Sequence, residues 1–154
     1  MRRFDKNKNI KEANLLSEQR YLTSKGMTNE TDTMSVLISK LLHSRIQAHT
    51  FHWQTKSSSS FAEHMALGTF YDEIVELTDN LVESYQGKHE IITGYKSLPL
   101  EDYKNVEQLI SYFKELDSEI EKDRKNVKES YLQNQIDTVQ ELIYSTLYKL
   151  RFLK

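Results

Sequence analysis

The sequence predicts an all-α chain folded as a four-helix bundle, and three observations carry that expectation. Four long stretches repeat apolar residues at spacings that alternate between three and four, the period of a helix with one buried face. Four glycines and a single proline, Pro99, are too few among 154 residues for a fold rich in tight turns. The breaks between the stretches are short, except for one in the middle. A chain of this length can bury one core that needs no staples, and without cysteine it has no disulfides or thiolate metal ligands.

Residues 1–31 show no sustained period; a short helix at 10–23 is the one regular element they permit. Residues 1–25 hold seven basic side chains (Arg2, Arg3, Lys6, Lys8, Lys11, Arg20, Lys25) against three acidic ones, a net of +4. With −2 for the whole chain, the remainder carries −6. Residues 1–31 are therefore read as a basic, poorly packed arm on an acidic bundle over 32–154. Such an arm suits weak, salt-sensitive contact with nucleic-acid phosphates, and the plainer reading is a solvated tail.

Thr31 or Asp32 is placed to cap a first helix over 33–55, whose apolar line runs through Met34, Leu37, Ile38, Leu41, Ala48 and His52. The polar run Ser57–Ser60 makes a short turn. A second helix over 61–86 buries Leu67, Phe70, Ile74, Leu77 and Leu81 and stops at Gly87 as its C′ residue. Residues 88–102 connect it to a third helix over 103–126, and a fourth covers 130–152. A helix of 26 residues is about 39 Å long, and fifteen extended residues reach about 50 Å. The middle link can thus cross the bundle from end to end or serve as a loose up-down loop.

Chemistry concentrates in residues 49–87. His52 ends the first helix and His64 begins the second, so an antiparallel hairpin makes them neighbours. Imidazole pairs bind iron, zinc or copper; the plainer alternative is two helix-end histidines bonded to backbone or water. Asp72, Glu76, Asp79 and Glu83 form a stripe nearly opposite the second helix's core line, which on its own reads as a solvated face. No histidine has Glu three residues before it, so an inward-facing di-iron centre within one chain is not expected. His64 is 15 and 19 residues from Asp79 and Glu83, about 22 and 28 Å along one helix. Metal–ligand bonds of about 2 Å exclude a shared ion in one chain. Two such helices packed antiparallel about a two-fold axis would bring one chain's histidines to the other's carboxylates.

His52-Trp53 is followed by His64, Asp79 and Glu83 at 12, 27 and 31 residues. This spacing resembles the signature of the Dps family, the DNA-binding mini-ferritins of bacteria. The resemblance implies a ferritin-like four-helix bundle with a long crossover between helices 2 and 3. It also implies a two-fold homodimer or larger shell, and Fe(II) oxidation by peroxide or oxygen. His52 and His64 of one subunit and Asp79 and Glu83 of its partner would be the metal ligands. Trp53 lies beside such a site, as a redox shield or simply a buried packing residue. The family's further Asp, four residues after the second histidine, is Gly68 here. That departure weakens one metal position, to which Asp72 is the nearest auxiliary carboxylate. The patterns HxFHxQTKS, FAEH and VESYQGK and the C-terminal SYLQNQIDTVQELIYSTLYKLRFLK resemble uncharacterised ferritin-like proteins of tailed bacteriophages more closely still. That second resemblance implies a structural or interaction role without ferroxidase chemistry. With no apolar run of membrane-spanning length and no signal peptide at the start, the expected setting is cytoplasmic (host cytoplasm or virion for a phage protein).

Overall fold

The computed structural model describes residues 29–56 and 60–153, with side chains over 33–56 and 61–153. They form four helices: α1 Asn29–Gln54, α2 Ser60–Lys88, α3 Val106–Asp123 and α4 Ser130–Phe152. One turn of 3-10 helix, Arg124–Asn126, joins the last two. The basic arm over residues 1–25 lies outside the described residues.

α1 and α2 form one hairpin and α3 and α4 the other; α2 also packs on α4, and α1 on α3. α2 and α3 therefore stand on a diagonal, and the link between them crosses the length of the bundle. This is the ferritin-like four-helix arrangement with its long crossover, and the loose up-down alternative does not occur. Its core is the expected one: Met34, Leu37, Leu67, Phe70, Phe113 and Ile136 are buried with their periodic neighbours. Among the described residues no helix is long and apolar enough to cross a membrane.

The ends depart from expectation in four places. α1 starts at Asn29, so Thr31 and Asp32 lie inside its first turn and cannot be its cap, and the bundle reaches three residues into the expected arm. α2 runs through Gly87 to Lys88; Gly87 does not take the left-handed conformation of a C′ residue, and only Gly94, φ 81°, does so among the described residues. α3 starts three residues late. The Asn105 side chain accepts from the Gln108 N–H at 2.9 Å, while Gln108 Oε1 accepts from the Lys104 N–H, a reciprocal cap that fixes the start at Val106. The α3 helix also gives way to the 3-10 turn at Arg124.

The crossover has no regular helix, yet it is tightly held. Along one stripe of α1, Ser39 Oγ accepts from the Lys96 N–H, and His43 Nε2–H donates to the Pro99 carbonyl. Gln47 both accepts from the Glu101 N–H and donates to the Glu101 carbonyl, and Gln54 accepts from the Tyr103 N–H. His43, which shows no partner in the sequence, is thus a strap anchor, and its Nδ1 faces the Tyr112 hydroxyl at 3.4 Å. His89 likewise has a partner, Glu129, which ties the end of α2 to the start of α4.

Candidate metal centre

α1 has three working faces. Its core face carries Met34, Leu37, Leu41 and Ala48, and its polar face holds the crossover. The third carries Leu42, Ile46, His49 and Trp53 at spacings of four, three and four. Leu42, Ile46 and Trp53 are exposed on it. The adjoining face of α2 carries His64, Gly68, Asp72, Val75 and Asp79, one helical turn apart apart from the three-residue step to Val75. Leu42, Arg45, Val75 and Asp79 line one shallow groove of about 250 Å³ between the two helices.

His52 and His64 meet at the top of this face. Their rings stack with centroids 3.5 Å apart and planes inclined by 23°. The contact is locked by a reciprocal pair of bonds: His52 Nδ1–H donates to the His64 carbonyl at 2.8 Å, and His64 Nδ1–H donates to the His52 carbonyl at 3.2 Å. A carbonyl only accepts, so each Nδ1 carries a proton, and the neutral form of each ring then has its lone pair on Nε2. That is the tautomer a metal-binding imidazole needs, with its other nitrogen held by an outer partner. Burial lowers the His52 pKa below the ordinary histidine value. The bond to the His64 carbonyl opposes this, and the neighbouring His64 and His49 rings reinforce it. His52 is therefore neutral, and open to a cation, at physiological pH. The plainer alternative, histidines bonded to backbone, holds for one nitrogen of each ring only.

Around the pair lies an aromatic cluster. His49 stacks on Tyr71 at 4.1 Å and 21°, and its centroid is also 4.1 Å from that of Trp53. Tyr71 in turn meets His52 edge-on at 5.2 Å. Trp53 is 70% exposed, so the buried-packing reading fails within one chain. His49 and Tyr71 were legible only as an i, i+3 neighbour of His52 and as one tyrosine of several. Their stacking depends on how α1 and α2 are rotated.

Gly68 faces His52. A Cβ built there would meet His52 Cε1 at 3.5 Å and Nδ1 at 3.7 Å, ordinary van der Waals contact. Asp72, one turn on, is exposed and close enough for its charge to be felt at His52. Asp79 and Glu83 are exposed further along the same unbroken helix, about 22 and 28 Å from His64 by helical rise. Within one chain the histidines come together and the two distal carboxylates do not join them. Among the described residues no three His, Asp or Glu side chains cluster closely enough to hold a metal ion.

The chain is similar to the DNA protection during starvation protein of Helicobacter pylori (strain J99), with 26% identity over 122 residues, covering 64% of this chain and 83% of that protein. No solved structure matches it. A model of a family of unknown function, DUF5856, matches residues 52–150, from the first histidine of the pair to the last turn of α4. The chain therefore belongs to the DUF5856 family.

Proposed function

We propose that this protein is a Dps-like iron-binding protein that oxidises Fe(II) at a site shared between two subunits. His52 and His64 supply nitrogen ligands from one protomer, and Asp79 and Glu83 supply oxygen ligands from its partner across a two-fold axis. The observation that carries this reading is the locked pair itself: two stacked imidazoles with both Nδ1 atoms engaged and both Nε2 atoms free. The apolar stripe of Leu42, Ile46, Trp53 and Val75 between the two ligand groups supports a two-fold partner, because antiparallel apposition covers it and aligns the ligands in one move. The similarity to a starvation protein whose name speaks of DNA protection points the same way. Mixed nitrogen and oxygen donors suit iron.

Gly68 favours a second reading. It faces His52 without a carboxylate, so the site holds one metal well and a second poorly, and a one-metal site suits a ferritin-like structural or interaction protein.

Anaerobic calorimetry with Fe(II), followed by stopped-flow absorbance after adding peroxide or oxygen, separates the two. The first reading expects about one tight site per chain and oxidation faster than in buffer. Tight binding without accelerated oxidation selects the second, and no binding removes the metal centre altogether.

A further inference from the structure

A two-fold partner on the α1–α2 face sets a condition on the charges at the middle of that face. Counted along α2, the point midway between His64 and the pair Asp79 and Glu83 falls between residues 71 and 74. An antiparallel partner that brings histidines to carboxylates therefore turns about an axis beside Asp72, and the two copies of that carboxylate face each other. Asp72 is exposed and makes no ion pair among the described residues. Like charges set together in an interface weaken it unless cations stand between them.

One cation is placed to do so. Besides histidines, the side chains described on α1 and α2 include three basic ones, Lys40, Arg45 and Lys88. Lys40 is held by Glu119 and Asp123, and Lys88 by Glu129. Arg45 is exposed and has no ion pair among the described residues. It lies seven residues before His52, as Tyr71 lies seven after His64, so in the antiparallel hairpin it stands level with Tyr71 and next to the level of Asp72. It lines the groove between the two helices with Leu42, Val75 and Asp79, on the face that a partner covers.

We propose that Arg45 pairs with Asp72 of the partner subunit across the two-fold axis, and that the symmetry repeats the pair. This rests on the two-fold reading under Proposed function and adds the charges that set its register. An isologous interface returns every contact, so one such pair implies two. The guanidinium fork matches a carboxylate, and the apolar Leu42, Ile46 and Val75 around it exclude water once a partner covers them. A slip of one helical turn would part both pairs, so the same alignment that joins histidines to carboxylates is the one the charges select. Asp72 is then engaged at the axis and does not serve as the auxiliary carboxylate beside Gly68.

Light scattering on the metal-free chain at micromolar concentration tests this. Arg45→Glu and Asp72→Lys should each weaken self-association at least about tenfold, because each sets like charges together in both copies of the pair. Mixed in equal amounts, the two variants should recover the parental mass, since every pair across the axis then joins an acid to a base. Mixing rescues only a contact between chains; a pair within one chain would stay repulsive in both variants. Both side chains are exposed, so circular dichroism should show an intact bundle. Singly changed chains that keep the parental mass, or a mixture as light as its components, would overturn the pair and leave the two-fold face standing. A monomeric parent would overturn the two-fold face and the pair together. Fe(II) binding is read separately by calorimetry, so its failure does not enter this result.

Discussion

Replacing Gly68 by Asp restores a carboxylate at the position where the structure leaves space beside His52. The new Cβ makes only ordinary contact, 3.5 Å to Cε1 and 3.7 Å to Nδ1, so no side chain has to move. Two small terms then oppose each other. Asp is better than Gly inside a helix by about 0.3 kcal/mol. The new charge sits four residues before Asp72, and like charges at that spacing cost about 0.2–0.5 kcal/mol. Without metal the melting temperature should therefore stay within about 2 °C of the parent, at 2–4 °C per kcal/mol for a domain of this size. Gly68→Ala, with the helix gain and no charge, should raise it by about 2–4 °C. The metal term is larger: a charged oxygen ligand at the poor second position should tighten it at least about tenfold, roughly 1.4 kcal/mol. Calorimetry with Fe(II) should then count two ions per chain where the parent and the Ala variant take one. An Asp variant that still binds one ion, or an Ala variant that melts several degrees lower, would refute the placement of Gly68 against an open metal position.

Four further outcomes follow from the same geometry. His52→Ala or His64→Ala should abolish Fe(II) binding in calorimetry while leaving the helix signal intact, and Glu83→Gln should weaken it by removing a charge with little change of shape. Ile46→Asp or Val75→Asp should shift the mass measured by light scattering to that of a single chain, because either places a charge on the apolar stripe without entering the core. Gln47→Ala removes two bonds to the Glu101 backbone from a fully buried side chain, at a cost of about 2 kcal/mol and a fall in melting temperature of about 4–8 °C. The Glu129 carboxyl is held down to about 2, first by the hydrogen bond from Lys88 and also by that from His89. Because its folded value is depressed, the stability it adds is complete above the ordinary value of 4.5 and is lost as pH falls toward 2. The difference in urea stability between the parent and Glu129→Gln should accordingly be present at neutral pH and close over that window.

The helices and their inward faces were legible because each buries one periodic stripe. Leu132, Ile136, Val139, Ile143, Leu147 and Leu150 are all buried, as their spacing requires. The histidine pair was legible because a short turn between two helices leaves few ways to place residues 12 apart. α1 was harder to read, since apolar residues lie on an exposed face as well as on its core face and no single stripe marks its limits. Gly87 misled because a glycine signals a helix end only where the backbone turns left-handed, and here a further residue of helix follows it. The Asn105–Gln108 cap was readable in the sequence, and the expected start at 103 ran three residues ahead of the helix it caps. The crossover anchors were not readable, since Ser39, His43 and Gln47 resemble ordinary exposed helix residues until the strand of chain they hold is in place.

The crossover behaves as a ruler. Its outer anchors on α1, Ser39 and Gln54, are 15 residues apart, about 22 Å at helical rise. The residues they hold, Lys96 and Tyr103, are seven apart, about 23 Å when fully extended. The segment therefore has no slack. Losing one residue between Lys96 and Tyr103 would shorten its reach by about 3.3 Å and force one end anchor to let go. An added residue would have to loop outward, away from the helix. Long surface connections usually tolerate changes of length, but this one should be as intolerant of them as a core helix. A protease should likewise cut slowly at Lys96, although that residue lies exposed on the surface.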